Sequence, residues 1–281
     1  MTKAGQRGVA VVLAMGVVAL AAMAAAAILA SQSTWSREAE LTAEHVQAQA
    51  LVQAGVDWAR ALLYDDRRMS NVDHLGEPWA MRLPPVPVDN GELAGHIDDQ
   101  QGLFNLNNLV RNGAASPGQV AQFRRLLEIL GLPDALAEGV RDRCLAVKRP
   151  LIDLDELAAV PGFDAAARAR LRPFVTALPS FTTVNVNTAP PEVLAAIVRD
   201  LDLDGARALT AQRSRVYFRN LTEFLAQLPP GAVVDGNDVT TASQYFLASV
   251  RVTIGEAQAR GSALLARDQA GWPTILWRKY P

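Results

Sequence analysis

The sequence has little of what catalysis and metal binding usually need. Its 281 residues include one cysteine, Cys144, so an internal disulfide is excluded and a small buried hydrophobe is the expected role of that side chain. The three histidines lie far apart, and no phosphate-binding glycine loop, GxSxG motif or HExxH motif is present. Asp98 and Asp99 are neighbours on a predicted strand and therefore point to opposite faces. We predict that the protein is not an enzyme.

Neither sign of charge dominates the chain. The formal net charge is −2, from 27 Lys and Arg against 29 Asp and Glu, so there is no basic field for nucleic acid. Half of the residues are hydrophobic, which is enough for one or two folded domains. The most informative feature is therefore the one long hydrophobic run.

That run lies at the N-terminus. A short basic leader, MTKAGQRG, ends at Gly8 and is followed by the uncharged apolar segment 9–30. As a helix this segment would be roughly 33 Å long, close to the roughly 30 Å hydrocarbon core of a bilayer. Lys3 and Arg7 precede it, so the positive-inside rule predicts a cytoplasmic N-terminus and places the rest of the chain outside.

Three interpretations of this N-terminus are open from the residues alone. It is a secretory signal cleaved near the alanine-rich tract 24–27, an uncleaved signal anchor, or a leader cut after Gly8 that leaves segment 9–30 on the mature chain. Helical periodicity continues from Ser31 to Leu63, which favours the two anchored interpretations. A stripe of apolar and small residues on this extension consists of Trp35, Ala39, Thr42, Val46, Ala50, Ala54, Trp58 and Leu62.

The rest of the chain predicts strands on either side of a helical block. Three prolines in segment 83–88 indicate an edge strand or a polyproline segment, and Asp89-Asn90-Gly91 predicts a hairpin turn before a strand at 92–98. Residues 116–228 have helical patterns, apart from a brief extended crossing at 184–188. The alternation at 245–254 predicts a strand, and two more strands are expected at 259–267 and 272–280. The helices expected in the block cover about 116–130, 134–147, 153–159, 165–177, 190–200, 205–215 and 221–228. We predict an α+β domain with a helical insertion.

Segment 157–163 (LAAVPGF), followed by Arg168 and Leu171, resembles one helix-hairpin-helix unit. DNA binding through such a unit needs backbone amides that are free to meet phosphate, and Asp164 at that point would repel phosphate. Compact helical packing is the interpretation that we favour. We expect no nucleic acid partner.

Two oxygen-rich loops are candidates for an ion. Calcium binds about six to eight oxygens from carboxylates, amides and carbonyls. The turn 235–238 (DGND) offers such groups, as does the corner with Asp98, Asp99, Asn105 and Asn107. Turn formation and capping explain the same residues, so calcium is an expectation without assigned ligands.

The order of several motifs resembles the K-type minor pseudopilins of the type II secretion system (general secretion pathway protein K). The resemblance covers nearly the whole chain and begins with QRG followed by VAVVL. Its later segments are LGEPWA (75–80), HIDDQQGLFNLNNL (96–109), DLDELAAVPGF (153–163), VNVNTAPPEVLAAI (184–197) and a closing block of strands. Each motif is weak alone, whereas their order and spacing together are specific.

The resemblance implies an assembly subunit. Prepilin peptidase would cut between Gly8 and Val9 on the cytoplasmic side and N-methylate Val9. The mature chain would join the I- and J-type minor pseudopilins in a complex that caps a periplasmic pseudopilus and helps to initiate its assembly. Before extraction into the pseudopilus it would cross the inner membrane once, with its C-terminal domain in the periplasm. Calcium in the helical insertion is also implied.

Leu13 occupies a position that the resemblance makes informative. Most pilin-like subunits have glutamate at this fifth mature position, where it is thought to pair with the amine of a neighbouring subunit. A buried glutamate would be costly in the bilayer without such a partner. Leucine at this position therefore fits a subunit at the tip.

The predicted fold is pilin-like, with a long N-terminal helix, a small antiparallel sheet and a large helical insertion of SAM-like or helix-hairpin-helix-like type. The alternatives are a minor pilin of a type IV pilus and, in a different class, a secreted helix-hairpin-helix DNA-binding protein. The predicted parts are a leader at 1–8, a transmembrane and filament-core helix at 9–30, its amphipathic extension at 31–64, a first α+β part at 65–103, the insertion at 104–240 and C-terminal strands at 241–281.

Overall fold

A computed structural model describes residues 3–268 and 271–280. Helix α1 (Lys3–Met69) runs through the leader, the apolar segment and the amphipathic extension without a break. No proline occurs in this range, and at about 1.5 Å per residue the helix is about 100 Å long. The prediction of one continuous helix is confirmed, although the helix ends at Met69, beyond Leu63.

A five-stranded antiparallel sheet packs against the C-terminal part of α1. Its strands are β1 (Leu83–Val88), β2 (Gly91–Asp99), β9 (Tyr245–Ile254), β10 (Ala257–Ala266) and β11 (Thr274–Lys279). Their order is β1-β2-β9-β10-β11, so β2 pairs with β9 across the whole intervening insertion. The proline-rich strand β1 lies at an edge, where its missing N–H groups break no central ladder, and Asp89 in the following turn has a φ of +41°.

Two glycines allow α1 to lie close to this sheet. A Cβ atom on Gly261 of β10 would be 2.5 Å from Cγ1 of Val52, and one on Gly55 would be 2.8 Å from Cγ1 of Val250. Gly55 lowers helix propensity by roughly 1 kcal/mol relative to alanine, and this close approach explains its presence inside α1. The side chains of α1 buried in this core are Ala48, Val52, Val56, Ala59 and Leu63.

The insertion between β2 and β9 has its own hydrophobic core. Phe104 and Phe123 stack in this core with ring centroids 5.5 Å apart. Cys144 is buried there, as predicted, and burial raises the pKa of its thiol to about 11. The helices are α2 (Pro117–Ile129), α3 (Leu136–Val147), α4 (Ala165–Leu171), α5 (Pro191–Ile197), α6 (Leu203–Arg213) and α7 (Leu221–Ala226). Short strands are β3 (Phe104–Asn105), β4 (Val110–Arg111), β5 (Ala114–Ala115), β6 (Val175–Thr176), β7 (Val184–Asn185) and β8 (Val239–Thr240).

Three helix predictions in the insertion need correction. The helix expected at 165–177 ends at Leu171, because Pro173 falls in a 3-10 turn (Arg172–Phe174) that leads into β6. The segment expected to be helical at 153–159 is a 3-10 helix, Leu154–Ala159. The helix expected at 190–200 ends at Ile197. The α+β class, the N-terminal helix, the antiparallel sheet and the helical insertion are confirmed.

Candidate assembly site

Helix α1 has two different apolar faces. One packs on the sheet. The stripe recognised in the sequence winds about half a turn around α1 between Trp35 and Leu62, so its first members lie away from the sheet, and only Leu62 packs partly on the sheet core. Trp35, Val46 and Trp58 are 75%, 61% and 53% exposed. Contiguous exposed apolar surface of this kind marks interaction sites. The protein's own core therefore leaves this face of α1 available to another molecule.

The exposed stripe continues the apolar N-terminal segment. The part of α1 from Ala10 to Leu29 has a mean hydropathy of 2.6, and none of it is buried. Its length and composition suffice to cross a membrane, and its many alanines allow close helix packing. Leu13 lies in this segment and is 64% exposed. Gly8 and Val9 belong to the α1 backbone, and cleavage between them and methylation of Val9 stay predictions.

The turn between β9 and β10 contacts the exposed part of α1. Arg37 and Glu256 form an ion pair at 3.2 Å, and the Glu44 carboxylate accepts a hydrogen bond of 3.0 Å from the backbone N–H of Glu256. Both side chains of the ion pair are largely exposed, so the pair contributes about 1 kcal/mol at most. These two contacts place the β9–β10 turn beside α1 between Arg37 and Glu44.

A second cluster of interest is a buried polar junction. It is centred on Arg267, which is 3% exposed and lies with its guanidinium 4.6 Å from the centroid of the Phe246 ring. The guanidinium donates hydrogen bonds to the carboxylates of Asp66 (2.8 Å) and Asp73, and to the Ser243 carbonyl at 2.9 Å. These contacts join the end of α1 to the loop after it, to the segment before β9 and to the residue that follows β10.

The carboxylate of Asp99 extends this junction into the insertion. Its Oδ1 accepts a hydrogen bond from the backbone N–H of Gln101 at 2.8 Å. Its Oδ2 accepts from Asn185 (3.0 Å), Thr188 (2.6 Å) and Ser243 (2.6 Å). Asn185 and Thr188 belong to the insertion, whereas Asp99 ends β2. The two domains therefore share one buried hydrogen-bond network.

Acidic groups outnumber basic ones in this junction. Carboxylate oxygens of Asp66, Asp73 and Glu77 lie within 4.8 Å of one another, and the Arg267 guanidinium forms ion pairs with Asp66 and Asp73. Burial raises the pKa of Asp66 to about 6, with a further contribution from Glu77, and burial likewise raises the pKa of Asp99 to about 6. Burial also raises the pKa of Glu77.

His74 is a titratable base beside these acids. Its ring stacks on Tyr217 of the insertion with centroids 3.8 Å apart, and burial lowers its pKa. Sequence reasoning missed the junction because its members are far apart along the chain, with Asp66 and Arg267 separated by 201 positions. The hydrophobic pattern of the sequence around Asp66 and Arg267 does not indicate that the two residues pair.

The oxygen-rich loops considered for calcium lie in two places. Asp238 accepts hydrogen bonds from Gln119 (2.8 Å) and Gln122 (2.5 Å) on α2, and Asp235 accepts from Asn237 within the exposed turn. Asn105 and Asn107 instead brace the insertion, since the Asn105 amide donates to the Ser180 carbonyl at 2.8 Å and the Asn107 amide to the Leu178 carbonyl at 2.8 Å. The two loops do not form one site.

Asp98 and Asp99 point to opposite faces of β2, as predicted. Asp98 is half-buried on the outer face beside His96, at 3.2 Å, and Asp99 is in the junction. In the helix-hairpin-helix-like segment, Asp164 caps α4 by accepting a hydrogen bond of 2.7 Å from the backbone N–H of Ala167. The carboxylate therefore occupies the helix end at which a phosphate would bind.

A long helix with a free apolar face, followed by an antiparallel sheet, defines the class of pilin-like assembly subunits. Two family models described as "Type II secretion system (T2SS), protein K" match residues 102–180 and 184–243. Type II secretion system protein K of Pseudomonas aeruginosa is 31% identical, over 98% of this chain and 92% of the relative. That of Klebsiella pneumoniae is 30% identical, over 94% and 93% of the two chains. The chain belongs to the type II secretion system protein K family.

A solved structure agrees with this assignment. A chain of the crystal structure of the GspK-GspI-GspJ complex from enterotoxigenic Escherichia coli is 26% identical, with a TM-score of 0.75. The match covers 87% of this chain and 99% of that chain. The predicted resemblance to the K-type minor pseudopilins is thus confirmed. It is favoured over both alternatives, the type IV minor pilin and the secreted DNA-binding protein.

Proposed function

We propose that this chain is the minor pseudopilin that forms the tip complex of the type II secretion pseudopilus together with the I- and J-type minor pseudopilins. The observation that carries the proposal is the free apolar face of α1, which the protein's own sheet does not cover. The similar chain of known structure is part of a GspK-GspI-GspJ complex, which supports the choice of partners. The role is one of assembly and involves no catalysis.

The contact surface follows from the exposure along α1. Trp35, Val46 and the small residues between them lie beyond the apolar segment. They would pack against the corresponding parts of the partners' N-terminal helices, outside the hydrocarbon core before extraction and then in the pseudopilus. Removal of apolar surface from water contributes roughly 25 cal/mol per Å², so a few such side chains supply several kcal/mol. Leu13 offers no carboxylate to a subunit above it, which is consistent with the terminal position.

Orientation is a further part of the proposal. Lys3 and Arg7 precede the apolar part of α1, and the folded domains follow it, so the N-terminus would be cytoplasmic and the domains periplasmic. The chain would cross the inner membrane once. Fusion of alkaline phosphatase after Tyr280 should give an active reporter, and an inactive reporter would contradict this orientation.

Processing by prepilin peptidase gives a test of the N-terminus. The cut between Gly8 and Val9 requires a small residue at the first of these positions, so Gly8→Glu should accumulate as an uncleaved membrane precursor. The wild-type chain should begin at N-methylated Val9 when its N-terminus is analysed by mass spectrometry. A mature chain that begins at Ala27 or later would contradict the proposal, because the anchoring part of α1 would be lost.

Co-purification tests the partners directly. The full chain, co-expressed with the I- and J-type pseudopilins of one secretion system and extracted in neutral detergent, should purify as a ternary complex. Val46→Glu should weaken that complex because it places a charge in the apolar stripe, while the melting temperature of the chain alone stays unchanged. A wild-type chain that retains neither partner would overturn the proposed function.

Calcium binding is a separate proposal, centred on the turn 235–238. Asp235 and Asp238 supply carboxylates there, and Gln119 and Gln122 lie beside Asp238 with amide groups whose carbonyl oxygens suit calcium. Calcium should raise the melting temperature of the wild type and not that of Asp235→Asn with Asp238→Asn. An equal response of both proteins, or none, would rule out this turn.

A further inference from the structure

Two arginines lie directly opposite each other on the outer face of the sheet. Arg251 of β9 pairs with Arg260 of β10 in the antiparallel register, and both side chains are exposed. Their neighbours Val252 and Ala259 point to the other face, which α1 covers. Like charges directly opposite on adjacent strands destabilise a sheet. The fold therefore keeps an unfavourable pair in place.

The chain does not compensate this pair internally. Among the residues that the structure describes, neither arginine has an acidic partner within 4.0 Å. On the far side of β9 the residue opposite Arg251 is Ala94, and the nearest acid along that strand, Glu92, is opposite Thr253. Two guanidinium groups side by side are suited to bidentate recognition of carboxylates or phosphates.

The described residues of the insertion form no ion pair with either arginine. The insertion covers the end of the outer face at Leu264 and reaches Lys279, which lies opposite Ser262, two positions from Arg260, and pairs with Asp153. The arginines lie towards the β9–β10 turn, which is held to α1 by Glu44 and Arg37. An anion from outside the chain can therefore approach both arginines.

The distance of the two arginines from the membrane favours a protein, and not a lipid headgroup, as the source of the anion. Gly261, next to Arg260, lies against Val52 of α1. Val52 is 23 residues beyond Leu29, the end of the apolar segment, which is about 35 Å of helix. Headgroups extend only about 5–8 Å beyond the hydrocarbon core. An upright α1 therefore keeps the arginines far from lipid phosphates.

We propose that Arg251 and Arg260 form a binding site for a cluster of Asp and Glu side chains on a neighbouring subunit of the tip complex. This proposal rests on the proposed function and adds a second contact, at the sheet, to that of α1. The repulsion between the two arginines is relieved when carboxylates of the partner lie between them. The pair thus lowers the stability of the free chain and raises its affinity for the partner.

Single charge reversals give the sharpest test, because stability and assembly should change in opposite directions. In Arg260→Glu or Arg251→Glu, the new glutamate faces the remaining arginine across the strands. The melting temperature of the full chain in neutral detergent should rise by about 2–4 °C. The apparent affinity for the I- and J-type pseudopilins should fall about tenfold. A merely structural role would move both quantities in the same direction.

Arg170→Glu with Arg215→Glu is a control that reverses two exposed arginines on the insertion, and it should leave the affinity unchanged. Wild-type affinity in both single reversals would overturn this proposal while leaving the tip-complex function intact. A wild-type chain that binds neither partner would overturn both proposals. Stabilisation of the wild type, and not of the reversals, by short-chain phosphatidylglycerol in place of the partners would show a lipid site and also contradict it.

Discussion

Asn185 of the insertion donates its side-chain amide to the buried carboxylate of Asp99 on β2, with the two atoms 3.0 Å apart. The same amide nitrogen lies 3.1 Å from the carbonyl oxygen of Asp73 and 2.9 Å from the hydroxyl of Ser243, so its two hydrogens are shared among three acceptors. One side chain of the insertion thus contacts residues that precede the insertion, Asp73 and Asp99, and one that follows it, Ser243. The insertion and the sheet are consequently joined by a polar network as well as by the chain connections.

This network predicts an unusual dependence of stability on pH. Burial raises the pKa of Asp66 and Asp99 to about 6, above the unfolded value of about 3.8. Between these values the folded state binds more protons, so the free energy of unfolding should rise as the pH falls from 7 towards 5. Each group contributes up to about 1.4 kcal/mol per pH unit. His74 opposes this in part, because its pKa is lowered.

Asp99→Asn tests the assignment of this pH dependence. The asparagine does not titrate. With a folded pKa of about 6 and an unfolded pKa of about 3.8, the gain in unfolding free energy between pH 7 and pH 5 should become smaller by about 1.3 kcal/mol. Urea unfolding at both pH values measures the difference. Asp204→Asn, whose side chain is 85% exposed, is the matched control and should keep the wild-type dependence. A wild-type protein whose stability falls steadily from pH 7 to pH 5 would contradict the electrostatic description of the junction.

Removal of the buried guanidinium should be strongly destabilising. Arg267→Met leaves the carboxylates of Asp66 and Asp73 without their counter-ion, and the expected loss in unfolding free energy at pH 7 is about 3–5 kcal/mol. Arg207→Met breaks an exposed ion pair with Asp204, and the unfolding free energy should change by about 1 kcal/mol at most. Similar losses in both variants, measured by urea unfolding, would show that the junction is not the stronger contact.

The close approach of α1 to the sheet predicts a size limit at Gly261. Gly261→Ala places a methyl group 2.5 Å from Cγ1 of Val52 and 3.0 Å from the Tyr280 ring, so the structure must shift. We expect a loss of about 1–3 kcal/mol in unfolding free energy. Gly236→Ala, where no atom lies within 4 Å, should be neutral or slightly stabilising. Equal stability of the two variants would contradict the observed packing of α1.

Sequence patterns predicted the parts of the fold that have a regular period or strong turn signals. The long helix follows from the absence of proline before Met69, and the edge strand and hairpin follow from the prolines at 84–87 and the turn at Asp89. The alternation after Tyr245 predicted the C-terminal strands. Pattern alone did not tell which face of α1 meets the sheet. Val46 and Val52 are similar residues, yet the first is exposed and the second is buried.

The functional features that depend on tertiary contacts could not be predicted from the sequence. Nothing local to Arg267 or to Asp99 indicates that each lies in a buried network, since their partners come from distant segments. The opposed pair of Arg251 and Arg260 also required the strand register, because a shift of one residue would separate them. The family resemblance indicated the assembly role, and the structure was needed to identify the exposed face of α1 and the arginine pair.

The exposed stripe of α1 should be the surface that contacts the partner subunits. A photo-crosslinking amino acid at Val46, on the stripe, should join the chain to the I- or J-type pseudopilin in cells that express all three. The same amino acid at Glu40, which is exposed beside Glu44 and the β9–β10 turn, should crosslink much less. Strong crosslinks from Val46 and weak ones from Glu40 are the predicted result. Equal crosslinking from both positions, or none from Val46, would contradict the claim.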